Sequence, residues 1–188
     1  MMRRKRRAKT APNQTRLIRQ LLITGLRQCS HSGQLIAGGV SIPCALGRRG
    51  LTHHKREGDG ATPAGDFHIL QGFFRPDRVS RMTGNFPLQA IRPSDGWCDD
   101  PASGMYNCRV KLPFRPSHEA LSRQDHLYDI VFTLDHNQRP RVRGLGSAIF
   151  FHLAHADMAG TAGCIAIRLS DMRRLLPRLC KGCRLRTG

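Results

Sequence analysis

Residues 146–167, GSAIFFHLAHADMAGTAGCIAI, open as a strand whose apolar positions fall on both sides of a period-two pattern. Ala148, Phe150, His152 and Ala154 fall on one side of a strand there, and Ile149, Phe151 and Leu153 on the other. Gly160, Thr161, Ala162 and Gly163 then make a small-residue turn, from which Cys164 leads into a second apolar run, Ile165-Ala166-Ile167. Upstream, residues 127–134 (LYDIVFTL) are rich in β-branched and aromatic side chains and predict the strongest strand of the chain. Residues 34–37 run into a Gly38-Gly39 turn and out through 40–47, a hairpin-like pattern in which Pro43 marks an edge or a bulge. Another turn, Thr62-Pro63-Ala64-Gly65, precedes a strand at 66–70. Residues 71–126, punctuated by Pro76, Pro87, Pro93, Pro101, Pro113 and Pro116, predict a long irregular region that covers a site. Within it, Trp97, Tyr106 and Asn107 either line a groove or, for Trp97, pack beneath the loop. After Ile167, Ser170 is placed to cap a short helix over 171–176 that ends near Pro177 and needs Leu175, Leu176 and Leu179 packed on the sheet. The expected fold is mainly β, a sandwich or bent sheet with short helices.

The chemistry of this pattern centres on two residues. A histidine late in a strand and a cysteine on a glycine turn can meet in space although twelve positions separate His152 from Cys164. The thiolate is the nucleophilic form of cysteine, and an adjacent imidazole takes the thiol proton. Small neighbours let a substrate carbonyl approach Cys164 and leave the amides of Gly163 and Cys164 free for a developing oxyanion. The spacing alone also accommodates a buried strand cysteine beside a satisfied core histidine.

Charge adds a feature at one end. The 188 residues suffice for one domain with a sizeable core, and they carry 31 Lys plus Arg against 13 Asp plus Glu, a net +18. Arg3, Arg4, Lys5, Arg6, Arg7, Lys9, Arg16 and Arg19 crowd the start of the chain, and residues 1–27 read as a basic, flexible arm suited to an anionic polymer or membrane surface. Aromatic content of 6% is thin for base stacking, and no specific nucleic acid is expected. The apolar run at 21–26 is shorter than the core of a secretory signal and is followed by Arg27, and no run is long enough for a transmembrane helix. Seven cysteines, at 29, 44, 98, 108, 164, 180 and 183, are expected as thiols. Cys180 and Cys183 have zinc or redox spacing, but a single pair makes no metal site, and the vicinal His53 and His54 point apart on an extended chain.

The stretch around His152 and Cys164 resembles the catalytic motif of the YkuD-type L,D-transpeptidases, in which a histidine precedes a Ser/Thr-x-Gly-Cys box. Residues 55–67, KREGDGATPAGDF, resemble that family's other signature, a glycine/proline turn entering a strand. Residues 96–101 (GWCDDP), Tyr106-Asn107, Ser117-His118-Glu119 and Leu127-Tyr128-Asp129 fit a subgroup, so that the similarity spans about residues 33–187. Two departures stand out: Ala162 where many members have histidine, and Ala166 where many have Arg or Asn, with Arg168 as a stand-in for the latter. The resemblance implies a catalytic domain at 28–188, acting in the periplasm or cell envelope without metal or organic cofactor; the lack of a clear signal peptide leaves a cytoplasmic location open, and a monomer is expected. It implies that Cys164 attacks the third-residue carbonyl of a peptidoglycan tetrapeptide stem with His152 as base, releasing D-alanine. The side-chain amine of a second stem then resolves the thioester into a 3–3 cross-link. Thr161, Ala162, Gly163 and Arg168 are the implied oxyanion and substrate contacts. Two other outcomes fit the residues: an L,D-carboxypeptidase with water as acceptor, and a basic polyanion-binding protein without catalysis.

Overall fold

The computed structural model describes residues 16–26, 29–80 and 84–188. Its strands in chain order are β1 (Ile18–Leu26), β2 (Cys29–Ala37), β3 (Val40–Ala45), β4 (Leu51–Thr52), β5 (Thr62–Pro63), β6 (Gly65–Phe74) and β7 (Leu88–Ala90). They continue as β8 (Asp95–Cys98), β9 (Cys108–Lys111), β10 (His118–Ala120), β11 (Ile130–Leu134), β12 (Phe150–Leu153), β13 (Ile165–Ile167) and β14 (Leu179–Thr187). One helix, α1 (Leu169–Leu175), runs into a 3-10 turn at Leu176–Arg178. The fold is mainly β, as expected.

The main sheet runs β11-β12-β13-β3-β2-β1-β14-β6-β7, and a further β11–β6 pairing closes it on itself around a core. Every residue of β11 and of β12 is buried, because both faces are covered and their alternation sorts side chains between two cores. Ile130, Phe132, Leu134, Phe151 and Leu153 enter the main cluster. Val131 and Phe150 enter a second cluster with Phe73, Trp97, Leu121, Tyr128, Ala148 and Cys164. The small sheet β10-β8-β9 supplies Trp97 to this second cluster.

Three expectations change. Residues 71–126 are not simply irregular: they hold β7 to β10, strands of three or four residues too short to register as periodic runs between prolines. Residues 18–26, assigned to the arm from their charge, form β1, which pairs with β2 and with β14. Ile18, Leu21 and Ile23 are buried while Arg19 points outward, so the strand keeps its charge on the solvent face. Residues 1–15 and 27 of the expected arm lie outside the described residues. Ser170 lies inside α1, whose N-cap is Arg168 without a side-chain capping bond, though Asp171 does sit in the first turn. All seven cysteines are free thiols, and His53 and His54 are exposed.

Candidate active site

The turn that ends in Cys164 is fixed by Thr161. Its hydroxyl donates to the Cys164 carbonyl at 2.7 Å and accepts from the Gly163 amide at 3.1 Å. Backbone bonds from Thr161 N–H to Leu46 O and from Arg48 N–H to Thr161 O anchor the same residue to the end of the β3 hairpin. Gly163 has φ +145°, and a Cβ there would lie 2.9 Å from the Ala61 carbonyl, so only glycine fits without displacement. The Gly163 amide is therefore committed to Thr161 and is not free for an oxyanion, contrary to the expectation from small-residue content alone.

Segment 55–67 lies behind the turn, and its residues do not line the cavity that Cys164 faces. Thr62 Oγ1 donates to the Cys164 carbonyl at 3.3 Å and accepts from the Gly47 amide at 2.8 Å. Buried Lys55 pairs with Asp59 and donates to the Arg56 carbonyl at 3.0 Å. Glu57 accepts from the hydroxyls of Tyr106 and Ser147. The glycines and proline of this signature shape a brace, not a substrate lining.

Asn107 holds the other side. It is buried, with its Oδ1 accepting from Trp97 Nε1 at 2.9 Å and from the Ala148 amide at 3.1 Å. Its amide nitrogen donates to the carbonyls of His136 and Asn137. These bonds keep Ala148 at φ +49°, a conformation that L-residues other than glycine seldom hold. Ala148 O then accepts the Cys164 thiol at 3.2 Å, while Phe150 N–H donates to the sulfur at 3.3 Å. Trp97 packs edge-on against Phe150, with ring centroids 5.3 Å apart. Trp97 and Asn107 are thus scaffold beneath the thiol, and the groove reading of them does not hold.

His152 reaches the same place from β12, the parallel neighbour of β13, on which it stands opposite Ala166. Its Nδ1 lies 2.7 Å from the Leu153 carbonyl. A carbonyl can only accept, so in the neutral ring Nδ1 carries the proton and Nε2 keeps the lone pair. The Tyr128 ring packs edge-on at 5.2 Å from the imidazole, and its hydroxyl donates to Glu119 Oε2. Among the described residues the sulfur bonds only to Ala148 and Phe150 and has no hydrogen bond to the imidazole.

Cys164 and His152 share a cavity of about 260 Å³, lined also by Thr161, Ala162, Arg48, Glu119, Arg123, Tyr128 and His155. Burial pushes the Cys164 thiol up to about 12, helped by the Glu119 charge, and pushes the His152 imidazole down to about 4. Both groups are therefore neutral at rest. Burial also raises the Glu119 carboxyl, against the opposing effect of the Tyr128 hydroxyl. Arg168 does not reach this cavity: it lines a neighbouring groove with Asp125, His126 and His155. The cations of the Cys164 cavity are Arg48 and Arg123, which sequence reasoning missed together with Glu119 and Tyr128 as cavity residues. Ser117-His118-Glu119 and Leu127-Tyr128-Asp129 carried the signal as pieces of the resemblance, but nothing in their spacing ties them to Cys164.

Residues 32–185 match the family model described as the YkuD L,D-transpeptidase catalytic domain. No curated protein matches the chain.

Proposed function

The chain belongs to the YkuD family of L,D-transpeptidase catalytic domains, enzymes that act on peptidoglycan stem peptides, and from that premise we propose that it is a cysteine acyltransferase of the cell envelope that forms 3–3 cross-links. The supporting observation is one cavity shared by Cys164 and an imidazole whose Nδ1 is committed to the Leu153 carbonyl, which leaves Nε2 to face the reaction as base. Among the described residues, no helix is long and apolar enough to cross a membrane.

In this reading the third-residue carbonyl of a tetrapeptide stem enters the cavity. Sγ attacks the carbonyl carbon while Nε2 of His152 takes the thiol proton. Because both groups rest neutral, the proton moves during the attack and no thiolate–imidazolium pair waits beforehand. The oxyanion meets the Cys164 amide, since Thr161 already occupies that of Gly163. Collapse breaks the peptide C–N bond, and the imidazolium returns its proton to the departing D-alanine amine. A thioester on Cys164 remains. The side-chain amine of a second stem attacks it, His152 takes that proton, and the thiol is regenerated. Arg48 takes the place proposed from sequence for Arg168, as partner of the donor's terminal carboxylate: it lines the cavity and has no ion-pair partner among the described residues.

The test is product analysis after incubation with disaccharide-tetrapeptide. A dimer that has lost one D-alanine is the expected product. Tripeptide alone makes water the acceptor and the protein an L,D-carboxypeptidase. Unchanged tetrapeptide beside a reactive Cys164 overturns the substrate assignment.

A further inference from the structure

Glu119 stands in the Cys164 cavity without a role in the steps above. It comes from β10, whose pairing with β8 sets Glu119 opposite Trp97. Of its two carboxyl oxygens, Oε2 accepts the Tyr128 hydroxyl, while Oε1 has no hydrogen-bond partner among the described residues. Arg123 lowers the Glu119 carboxyl only through space and makes no hydrogen bond or ion pair with it: the guanidinium is held by Asp125 through Nε at 2.9 Å and a terminal nitrogen at 2.7 Å, and lies over the Tyr128 ring. One wall of a small cavity, next to the reacting thiol, thus carries a carboxylate with an open oxygen. A half-buried carboxylate of this kind calls for a cationic partner, because a charge-assisted hydrogen bond recovers what desolvation costs.

The cation has to be one that the acyl donor brings before any bond breaks. Peptide nitrogens are neutral amides, and the departing amine becomes basic only after cleavage. A side-chain ammonium on the residue under attack, or on its neighbour, remains. We propose that Glu119 is the specificity residue for the acyl donor, its Oε1 receiving the side-chain ammonium of a diamino acid at the position whose carbonyl Cys164 attacks. This rests on the peptide-acylation reading of the site. Docking of the ammonium has a second effect. The Glu119 charge opposes ionisation of the Cys164 thiol, so a donor that neutralises it also eases the attack, and recognition and activation become one event.

The test uses the full chain in excess over two tetrapeptides ending in D-alanine, identical except that the third-residue side-chain amine is free in one and acetylated in the other. The rate of D-alanine release in a single turnover is the readout. Wild-type protein is expected to favour the free-amine donor by about tenfold or more, the worth of one charge-assisted hydrogen bond. Glu119→Gln removes that preference by slowing the free-amine donor alone. Tyr128→Phe, which keeps the ring against His152 and the Glu119 charge, retains the preference. Equal wild-type rates on the two donors overturn the proposal, whatever the folding of the variant. So does a preference that survives Glu119→Gln, or an equal slowing of both donors, which reduces Glu119 to a support for Tyr128. If wild-type protein releases D-alanine from neither peptide while iodoacetamide still alkylates Cys164, the acylation reading itself has failed, a result distinct from the other three.

Discussion

Cys164 and His152 are 8% and 4% exposed, and their protonation follows from that enclosure. Burial disfavours the charged form of each, so the thiol holds its proton up to about 12 and the imidazole refuses one until about 4. The sign of the pH dependence follows. As pH falls through about 4, His152 becomes charged; with His152 as the proposed base, acylation should stay level across neutral pH and decline only in the acid range. Alkylation of Cys164 by iodoacetamide, which needs thiolate, should instead climb steadily past the usual cysteine pKa of about 8.5. A reactivity plateau from mildly acidic pH upward would reveal a standing thiolate–imidazolium pair and contradict the neutral resting state. The same scale explains why the meeting of Cys164 and His152 in one cavity was legible in the sequence and their surroundings were not. The Thr161-Ala162-Gly163-Cys164 turn is contiguous, and its small residues announce close approach. The bond between Thr161 Oγ1 and the Gly163 amide is a matter of side-chain rotamer, which composition does not carry.

β11 and β12 were legible because both of their faces are buried, so their runs are apolar but for Thr133 and His152. β1 and β14 were not. Their exposed positions carry Arg19, Lys181, Arg184 and Arg186, and such residues at alternate places make a half-buried strand look like a charged tail. Arg184 is moreover spent on a two-bond ion pair with Asp66, a link across 118 positions that only the fold reveals. β1 bridges β2 and β14 near the centre of the sheet order, and Ile23 is fully buried there. Ile23→Ala should therefore cost about 2–5 kcal/mol in a denaturant titration. Removing residues 1–27 should abolish the cooperative transition, because β2 and β14 lose their shared partner. A transition unchanged by either alteration would return β1 to the arm.

At the scale of the molecule, the closed sheet gathers residues that lie far apart in sequence. Thr62 and Asn107 brace the thiol from below, through its carbonyl and through Ala148, while Arg48, Glu119 and Tyr128 face it across the cavity. Each belongs to a segment whose local pattern speaks only of turn or short strand, and long-range closure gives it a place beside Cys164. The net charge of +18 is likewise a property of the whole chain, and it bears on anionic surroundings such as wall polymer more than on the chemistry of a buried thiol.

Cys164 is expected to form a thioester with the acyl donor, and intact-protein mass spectrometry would register that bond. Wild-type protein mixed with tetrapeptide should gain the mass of the stem minus D-alanine, with the adduct mapped to Cys164 and absent from Cys164→Ala. An adduct on another cysteine, or D-alanine release that persists in Cys164→Ala, would contradict the account.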